Sequence, residues 1–293
     1  MKISIIITTK NRQQYLNRAV ESVLKNSMLP FDIVIVNDGG GIIEKDVLPE
    51  FYNYKIINNH VSLGGNKARN QGVLAASGSL IYFLDDDDAY TKDSISEKFD
   101  VFKKNKDVGL VYTGVQFVLS SDLTKVKRIK SASNKPVSFH DLLANGNSVG
   151  PTSCAAVRKS IFISAGMFDE KLHAMQDYEL WIRMARCCNV MSDGGVNVIY
   201  TIHSSGFQVS SKYKKYIESA NYIAEKFKSD LLQLRLKNKF WSMVYFRVAL
   251  SASHVSTTDK MKYAIMSFLH RPNFKSLVVL LPTFILKKIK PFV

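Results

Sequence analysis

The sequence predicts an α/β fold, a sheet flanked by helices, followed by a basic helical extension. Three observations carry that expectation. Short Ile/Val-rich runs recur through the first half of the chain and are nearly continuous rather than alternating, the pattern of strands covered on both faces. Segments with helical spacing of apolar residues lie between them, as a sheet built with crossover connections requires. The charge is uneven: residues 1–209 carry 24 Lys+Arg against 21 Asp+Glu, a net of +3, whereas residues 210–293 carry 16 against 4, a net of +12.

In chain order, the expected strands are ISIIITT (3–9), DIVIVN (32–37), YKIIN (54–58), LIYFL (80–84) and LVYTGVQFVL (110–119). Helices are expected at about 13–26, 65–76 and 93–104; in the first, Tyr15, Leu16, Ala19, Val20, Val23 and Leu24 share one face. The stretch 148–190 predicts a strand-like start, a short helix, a turn near Gly166 and a helix from about Asp177, with Leu180, Trp181, Met184 and Ala185 as its apolar face. The last third reads as helices at 212–228, 231–250 and 259–270. The uncharged run Ser276–Leu286 contains Pro282 and is shorter than the roughly 20 apolar residues of a membrane span. Flanked by Lys287, Lys288 and Lys290, it has the character of a segment lying on an anionic membrane surface.

Composition narrows the class further. A chain of 293 residues with 46% hydrophobic content has a core to build and is not disordered. The three cysteines, Cys154, Cys187 and Cys188, form no C-x-x-C pair and no even disulfide framework, which fits a reducing compartment. The opening MKISIIITTKNR has too short an apolar run for a signal peptide and is read as the first buried strand.

In sheets of this kind, ligands bind at the carboxyl ends of the strands. Those ends here carry Thr8 and Thr9, then Asn37 and Asp38, then Asp85, Asp86, Asp87 and Asp88. Carboxylates in a D-x-D at a strand end suit a hard divalent cation that completes its shell with water and substrate phosphates. A solvated acidic turn with Asp93 as helix cap is the plainer alternative. An EF-hand loop fits poorly, because Ala89, Tyr90 and Ser96 stand where it needs a ligand, a glycine and a glutamate. A glycine-rich dinucleotide turn and a P-loop are both absent after the first strand, where the sequence is TTKNRQQ. Lys67 and Arg69, at the start of a helix one crossover upstream, could meet an anionic diphosphate or be ordinary surface cations. Asp177, at the head of a helix, reads either as a cap or as a general base, and His203 as a packed residue or as an extra metal or phosphate contact.

Taken together, SIIITTKNRQQYLNRAVESVL, IVIVNDGG, GNKARNQGVLAASGSLIYFLDDDDAY, SAGMFDEKLHAMQDYELWIRM and IHSSG, in this order, resemble the family-2 inverting glycosyltransferases of bacterial cell-surface polysaccharide synthesis, over roughly residues 1–210. The resemblance implies a GT-A (Rossmann-like) mixed sheet in residues 1–210 and leaves 211–293 as a basic, membrane-associating helical extension. It implies that Thr8 and Thr9 shape the nucleotide pocket, that Asp38 bonds the base, and that Arg69 lies near base and diphosphate. Asp85 and Asp87 match the D-x-D, with Asp87 the direct ligand of Mn2+ or Mg2+, Asp86 within reach of ribose, and His203 a late-loop contact at the metal. Asp177 matches the catalytic base. Asn37 and Gln176 depart from the acidic residues common at their positions, and the Q-x-x-R-W run of processive synthases is absent.

The implied activity is metal-dependent transfer of one hexosyl or N-acetylhexosaminyl unit. The donor is a nucleotide-sugar, a UDP-sugar foremost, and the acceptor a saccharide hydroxyl carried on a polyprenyl diphosphate, for O-antigen, capsule or exopolysaccharide. The place of action is the cytoplasmic face of the cell membrane, with the protein attached peripherally. Besides a nucleotidyltransferase of the same fold, whose glycine- and lysine-rich loop after the first strand is missing here, two alternatives stand beside it. One is a non-catalytic nucleotide-sugar or polyanion binding module on the same fold. The other is a nucleic-acid-binding protein, for which no recognised motif is present.

Overall fold

The computed structural model describes residues 1–43, 52–203, 213–253 and 255–281. The expected Ser276–Leu286 run is therefore described only to Leu281, and Lys287, Lys288, Lys290 and the Ser/Gly-rich loop after His203 lie outside the described residues. The chain divides into two compact units. One comprises 1–139, 147–171 and 176–204; the other comprises 140–146, 172–175 and 205–293.

In the first unit, β1 (Ile3–Thr9), β2 (Asp32–Asn37), β3 (Tyr54–Asn58) and β4 (Leu80–Asp85) run parallel in the order β4-β1-β2-β3. Both faces of β1 and β2 are covered, which is why their sequences are apolar almost throughout. Helices α1 (Gln13–Leu24) and α2 (Gly65–Ala75) fill two of the crossovers. Leu16, Ala19, Val20 and Val23 of α1 are buried in the same apolar cluster as Ile5, Ile7, Ile33 and Ile35. β5 (Ala89–Tyr90) and α3 (Ser94–Lys104) follow. Asp93 occupies the cap position of α3, but its side chain makes no cap hydrogen bond.

The expected strand over 110–119 is two strands in two different sheets. β6 (Val108–Tyr112) joins the large sheet, whereas β7 (Val115–Leu119) pairs with β8 (Asp122–Lys130) in a smaller one. Gly114 permits the switch. Backbone carbonyls of Lys130 and Gly195 press so closely on it that a Cβ there would lie 2.7 and 2.9 Å from their oxygens.

After α4 (Phe139–Asn145), the chain makes a 3-10 turn at Thr152–Cys154 and enters β9 (Ala155–Arg158). β9 runs antiparallel between β4 and β6 and makes the sheet mixed. α5 (Lys159–Ser164), a left-handed Gly166, and α6 (Gln176–Cys187) follow. Leu180, Trp181 and Met184 of α6 are buried, as is Ile182. β10 (Asn189–Ser192) closes the large sheet, whose described order is β10-β6-β9-β4-β1-β2-β3, and β11 (Val198–Ile202) lies between β5 and β7 in the second.

In the second unit, α7 (Tyr213–Lys226), α8 (Lys228–Gln233), α9 (Lys237–Ala252), α10 (Thr257–His270) and α11 (Phe274–Val279) succeed one another. The single helix expected over 231–250 is broken, with Arg235 in the left-handed region between α8 and α9. Ala249, Ala264 and Val279 form the apolar centre of α9, α10 and α11.

Candidate active site

Register brings the polar strand ends to one edge of the large sheet. Thr8 pairs with Asp85 across β1 and β4, and Thr9 with Asn37 across β1 and β2. The Asp38 N–H donates to the Thr9 carbonyl at 2.9 Å. Thr8, Thr9, Asp38 and the aspartates therefore meet because three parallel strands end level.

Each aspartate has its own partner. Asp85 Oδ1 accepts from Arg69 Nη2 at 2.5 Å. Asp86 is fully buried and takes the Thr9 hydroxyl at 2.6 Å and the guanidinium of Arg12, with Nε at 3.0 Å from Oδ2 and Nη2 on Oδ1. Burial pushes the Asp86 carboxyl up to about 6, although Arg12 and Thr9 pull the other way. Asp87 Oδ2 receives Arg12 Nη1 at 2.8 Å and lies 2.9 Å from His203 Nε2. The His203 ring packs edge-on against Tyr15, with centroids 5.4 Å apart. Asp88 turns inward, accepting from the Ser153 hydroxyl at 2.6 Å and from the Thr201 N–H at 3.0 Å, which ties the acidic turn to β11. Burial, then the charges of Asp87 and Asp85, raise its pKa well above the ordinary carboxylate range.

Asp38 faces the loop that leads into α2. Its carboxylate accepts from the Ser62 hydroxyl at 2.8 Å and from the N–H groups of Leu63 and Gly64 at 2.7 and 2.9 Å. Burial opposes ionisation there, but these donors outweigh it and hold the carboxyl below its usual range. The contact depends on Gly39, which has φ +85° and no room for a Cβ, since one would lie 2.6 Å from Ser62 N.

Arg69 is placed by α2, and α2 is clamped to the GMFDE turn. Asn70 Nδ2 donates to the Phe168 carbonyl and its Oδ1 accepts from the Phe168 N–H, both at 3.0 Å, while Asn66 Nδ2 donates to the Asp169 carbonyl at 2.8 Å. The same turn is held to α6, where Arg183 donates to the carbonyls of Ala165 and Met167 and pairs with Glu179 at 2.7 Å. The two quoted motifs are thus one mechanical unit that carries Arg69 on one side and Asp177 on the other.

Asp177 is the second residue of α6, so it does not occupy the cap position. Its Oδ2 accepts from Asn147 Nδ2 at 3.1 Å, and Trp181 Nε1 fixes the same 147–150 loop by donating to the Gly150 carbonyl at 3.2 Å. Burial lowers the Arg69 pKa, but the charges of Asp85, Asp177 and Asp87 more than compensate. Three carboxylates from β4, the acidic turn and α6 therefore act on one guanidinium.

Sequence reasoning singled out neither Arg12, Arg18 nor Ser153, and it assigned Asp88 no role beyond membership of the acidic run. Arg18 Nη1 donates to the Asp87 carbonyl at 3.0 Å and to the Thr201 hydroxyl at 3.1 Å. The signal for Arg12 was present in TTKNRQQ, a cation three residues beyond the end of β1 at the edge where the aspartates collect. Lys67, by contrast, makes no hydrogen bond or ion pair with these carboxylates among the described residues.

Comparison with known proteins bears on this edge. Residues 4–165, more than half of the chain, match the family model for glycosyl transferase family 2. The uncharacterized glycosyltransferase YwdF of Bacillus subtilis (strain 168) is 29% identical over 233 residues, 74% of this chain and 82% of that protein. The uncharacterized glycosyltransferase RP339 of Rickettsia prowazekii (strain Madrid E) is 29% identical over 210 residues, 69% of this chain and 64% of its own length, so the match leaves more than a third of that relative uncovered. Among solved structures, S. aureus TarS 1–349 superposes with a TM-score of 0.57 at 15% identity, covering 100% of this chain and 92% of that one, and TarS has also been crystallised with UDP and with UDP-GlcNAc. The family match spans the strands whose ends assemble this acidic edge, and the chain belongs to glycosyl transferase family 2, with the GT-A fold.

Proposed function

We propose that the chain moves a single hexosyl or N-acetylhexosaminyl unit, with inversion, from a nucleotide-sugar to a hydroxyl of a saccharide acceptor. The observation that carries this reading is the ion pair of Arg69 with Asp85 at the sheet edge where the acidic turn begins, with the charges of Asp177 and Asp87 acting on the same guanidinium. That edge has charge for both ends of a glycosyl transfer. The similar fold of TarS, which binds UDP and UDP-GlcNAc, favours a UDP-sugar as donor.

The residues fit a divalent cation of the Mn2+ or Mg2+ kind. Among the described residues no three His, Cys, Asp or Glu side chains converge as a closed metal site. The protein's share is instead one or two carboxylate oxygens with an imidazole beside them, the donor set of a cation that takes its other ligands from diphosphate and water. Asp87, with Asp85 and His203, would hold it. Bound there, the ion would supply charge neutralisation for the departing nucleoside diphosphate.

The chain's own residues do the rest. Arg69 is held charged and stabilises negative charge building on the leaving diphosphate. Asp38, Thr8 and Thr9 would line the nucleotide side, while Asp86, buried with its oxygens on Thr9 and Arg12, would act there by holding Arg12 and not by touching the ribose. Asp177, oriented by Asn147, accepts the proton of the acceptor hydroxyl as its oxygen attacks the anomeric carbon from the face opposite the leaving group, so the configuration inverts. The net charge of +12 over residues 210–293 favours a polyprenyl-diphosphate-linked acceptor in surface polysaccharide synthesis, reached by peripheral association with the inner face of the cell membrane.

The test is a thermal-shift screen of UDP-, GDP- and dTDP-sugars with and without manganese, followed by transfer assays with the donor that stabilises the fold. A shift that requires both metal and one nucleotide class supports the reading. No shift with any donor, on folded protein, overturns the donor assignment.

A further inference from the structure

We infer that α10 and α11 dock on an anionic lipid bilayer through two apolar ridges that meet at the turn between them. This rests on the membrane association proposed above and names the surface responsible.

Among the described residues, seven of the twenty large apolar side chains that are exposed fall between Val255 and Leu281. On α10, Met261, Ile265 and Leu269 recur at i, i+4 and i+8, a single ridge. On and just beyond α11, Phe274, Leu277 and Leu281 recur at i, i+3 and i+7. Leu269 is 74% exposed and Phe274 79% exposed, and they flank the Arg271–Asn273 connection. The apolar content is therefore greatest at the tip of the helix pair.

These ridges are not misplaced core. The inward faces of both helices are already satisfied: the Ser267 hydroxyl lies 2.7 Å from that of Ser276 and donates to the Ser242 carbonyl at 2.7 Å, while Ala249, Ala264 and Val279 pack together. On a helical wheel, each ridge lies on the side of its helix opposite the serine in this cluster. A helix bathed only in water presents charged and polar residues on that side, and these present Ile, Leu and Phe.

Charge selects the occupant. Residues 237–281 carry seven Lys and Arg and one acidic residue, Asp259. The Asp259 carboxylate is taken by the Tyr213 hydroxyl at 2.5 Å. Lys260 is buried and donates to the Leu281 carbonyl, whereas Lys262, Arg271 and Lys275 are exposed among the ridge residues. A second copy of the chain would bring two such cationic faces together. Anionic headgroups neutralise them while the acyl region receives Leu269 and Phe274. No described helix is long and apolar enough to cross a membrane, so the pair lies on the surface.

The full chain is mixed with vesicles of phosphatidylcholine alone and of phosphatidylcholine with phosphatidylglycerol, and bound protein is separated by flotation. Wild type is expected to float with the anionic vesicles and to be released by high salt. The double variant Leu269→Glu, Phe274→Glu is expected to lose about tenfold in binding, because two carboxylates replace the apolar tip. The variant Lys262→Gln, Arg271→Gln, Lys275→Gln keeps the apolar ridges and is expected to bind weakly and with less salt dependence. Unfolding curves matching wild type establish that each variant folds. Wild type that ignores anionic vesicles overturns both the membrane association and this surface. Binding retained in full by the Leu269→Glu, Phe274→Glu protein overturns the surface and leaves the membrane association standing. A wild-type dimer in sedimentation that the same variant dissociates shows the occupant to be a second copy and overturns the proposal.

Discussion

Arg12 closes its guanidinium fork on Asp86 and reaches Asp87 with its remaining nitrogen, so one cation 41% open to solvent spans two carboxylates of the acidic turn. Asp86 is wholly buried, and besides Arg12 it is met by the Thr9 hydroxyl. The ion pair explains how four consecutive aspartates coexist: Arg69 takes the first, Arg12 the second and third, and the fourth turns into the hydrogen-bonding groups of Ser153 and Thr201.

Replacing Arg12 by Gln removes the charge that faces buried Asp86. Stability is expected to fall by about 1–3 kcal/mol, less than a wholly buried pair would cost because Arg12 is partly solvated. Urea unfolding of the two proteins measures it. The same variant frees the Asp87 oxygen that Arg12 Nη1 occupies, so manganese alone should bind more tightly than to wild type, as read from the free-ion signal in electron paramagnetic resonance.

Asp177→Asn keeps the shape and the hydrogen bond from Asn147 but cannot take a proton. Transfer is expected to fall by roughly 10²- to 10⁴-fold, the range of a lost general base. The donor-induced thermal shift should be retained. Loss of both together would mark Asp177 as a structural residue.

Asp38 has a folded-state pKa below its ordinary value, so its contribution to stability is present at neutral pH and is lost as pH falls through that folded value. Asp38→Asn is expected to be less stable than wild type at neutral pH by about 1–2 kcal/mol, because the N–H groups of Leu63 and Gly64 lose an ionised acceptor. The gap should close on acidification below the ordinary carboxylate range. A gap independent of pH in parallel urea titrations would contradict the assignment.

Ser153→Ala leaves the buried Asp88 carboxyl with one fewer donor, and the Asp85 N–H without the hydroxyl that accepts from it at 3.1 Å. A loss of about 1–3 kcal/mol is expected in urea unfolding, the cost of leaving buried polar groups without their partner.

The sequence by itself determined the sheet and its acidic edge. Strands β1, β2 and β4 are nearly continuous apolar runs because both faces are covered, and that burial is written into consecutive residues. Their polar ends, from Thr8 to Asp88, are visible for the same local reason. The GMFDE and QDYELWIR stretches were legible as motifs, although their union through Arg183, and the clamp of Asn70 from α2 on the former, were not. Local pattern misled where one apolar run served two sheets, because the switch at Gly114 depends on the carbonyls of Lys130 and Gly195 pressing on it from distant segments. It misled again at Arg235, where a left-handed residue divides an otherwise helical pattern.

Tertiary structure alone decided which partner each carboxylate takes. Asp86 and Arg12 are 74 residues apart, Asp88 and Ser153 are 65 apart, and Asp87 and His203 are 116 apart. Helical and strand periodicities report which face a residue occupies within its own element. They carry no information about which side chain from another element arrives opposite it, and that arrival sets whether an aspartate is paired, buried with a raised pKa, or open to a ligand.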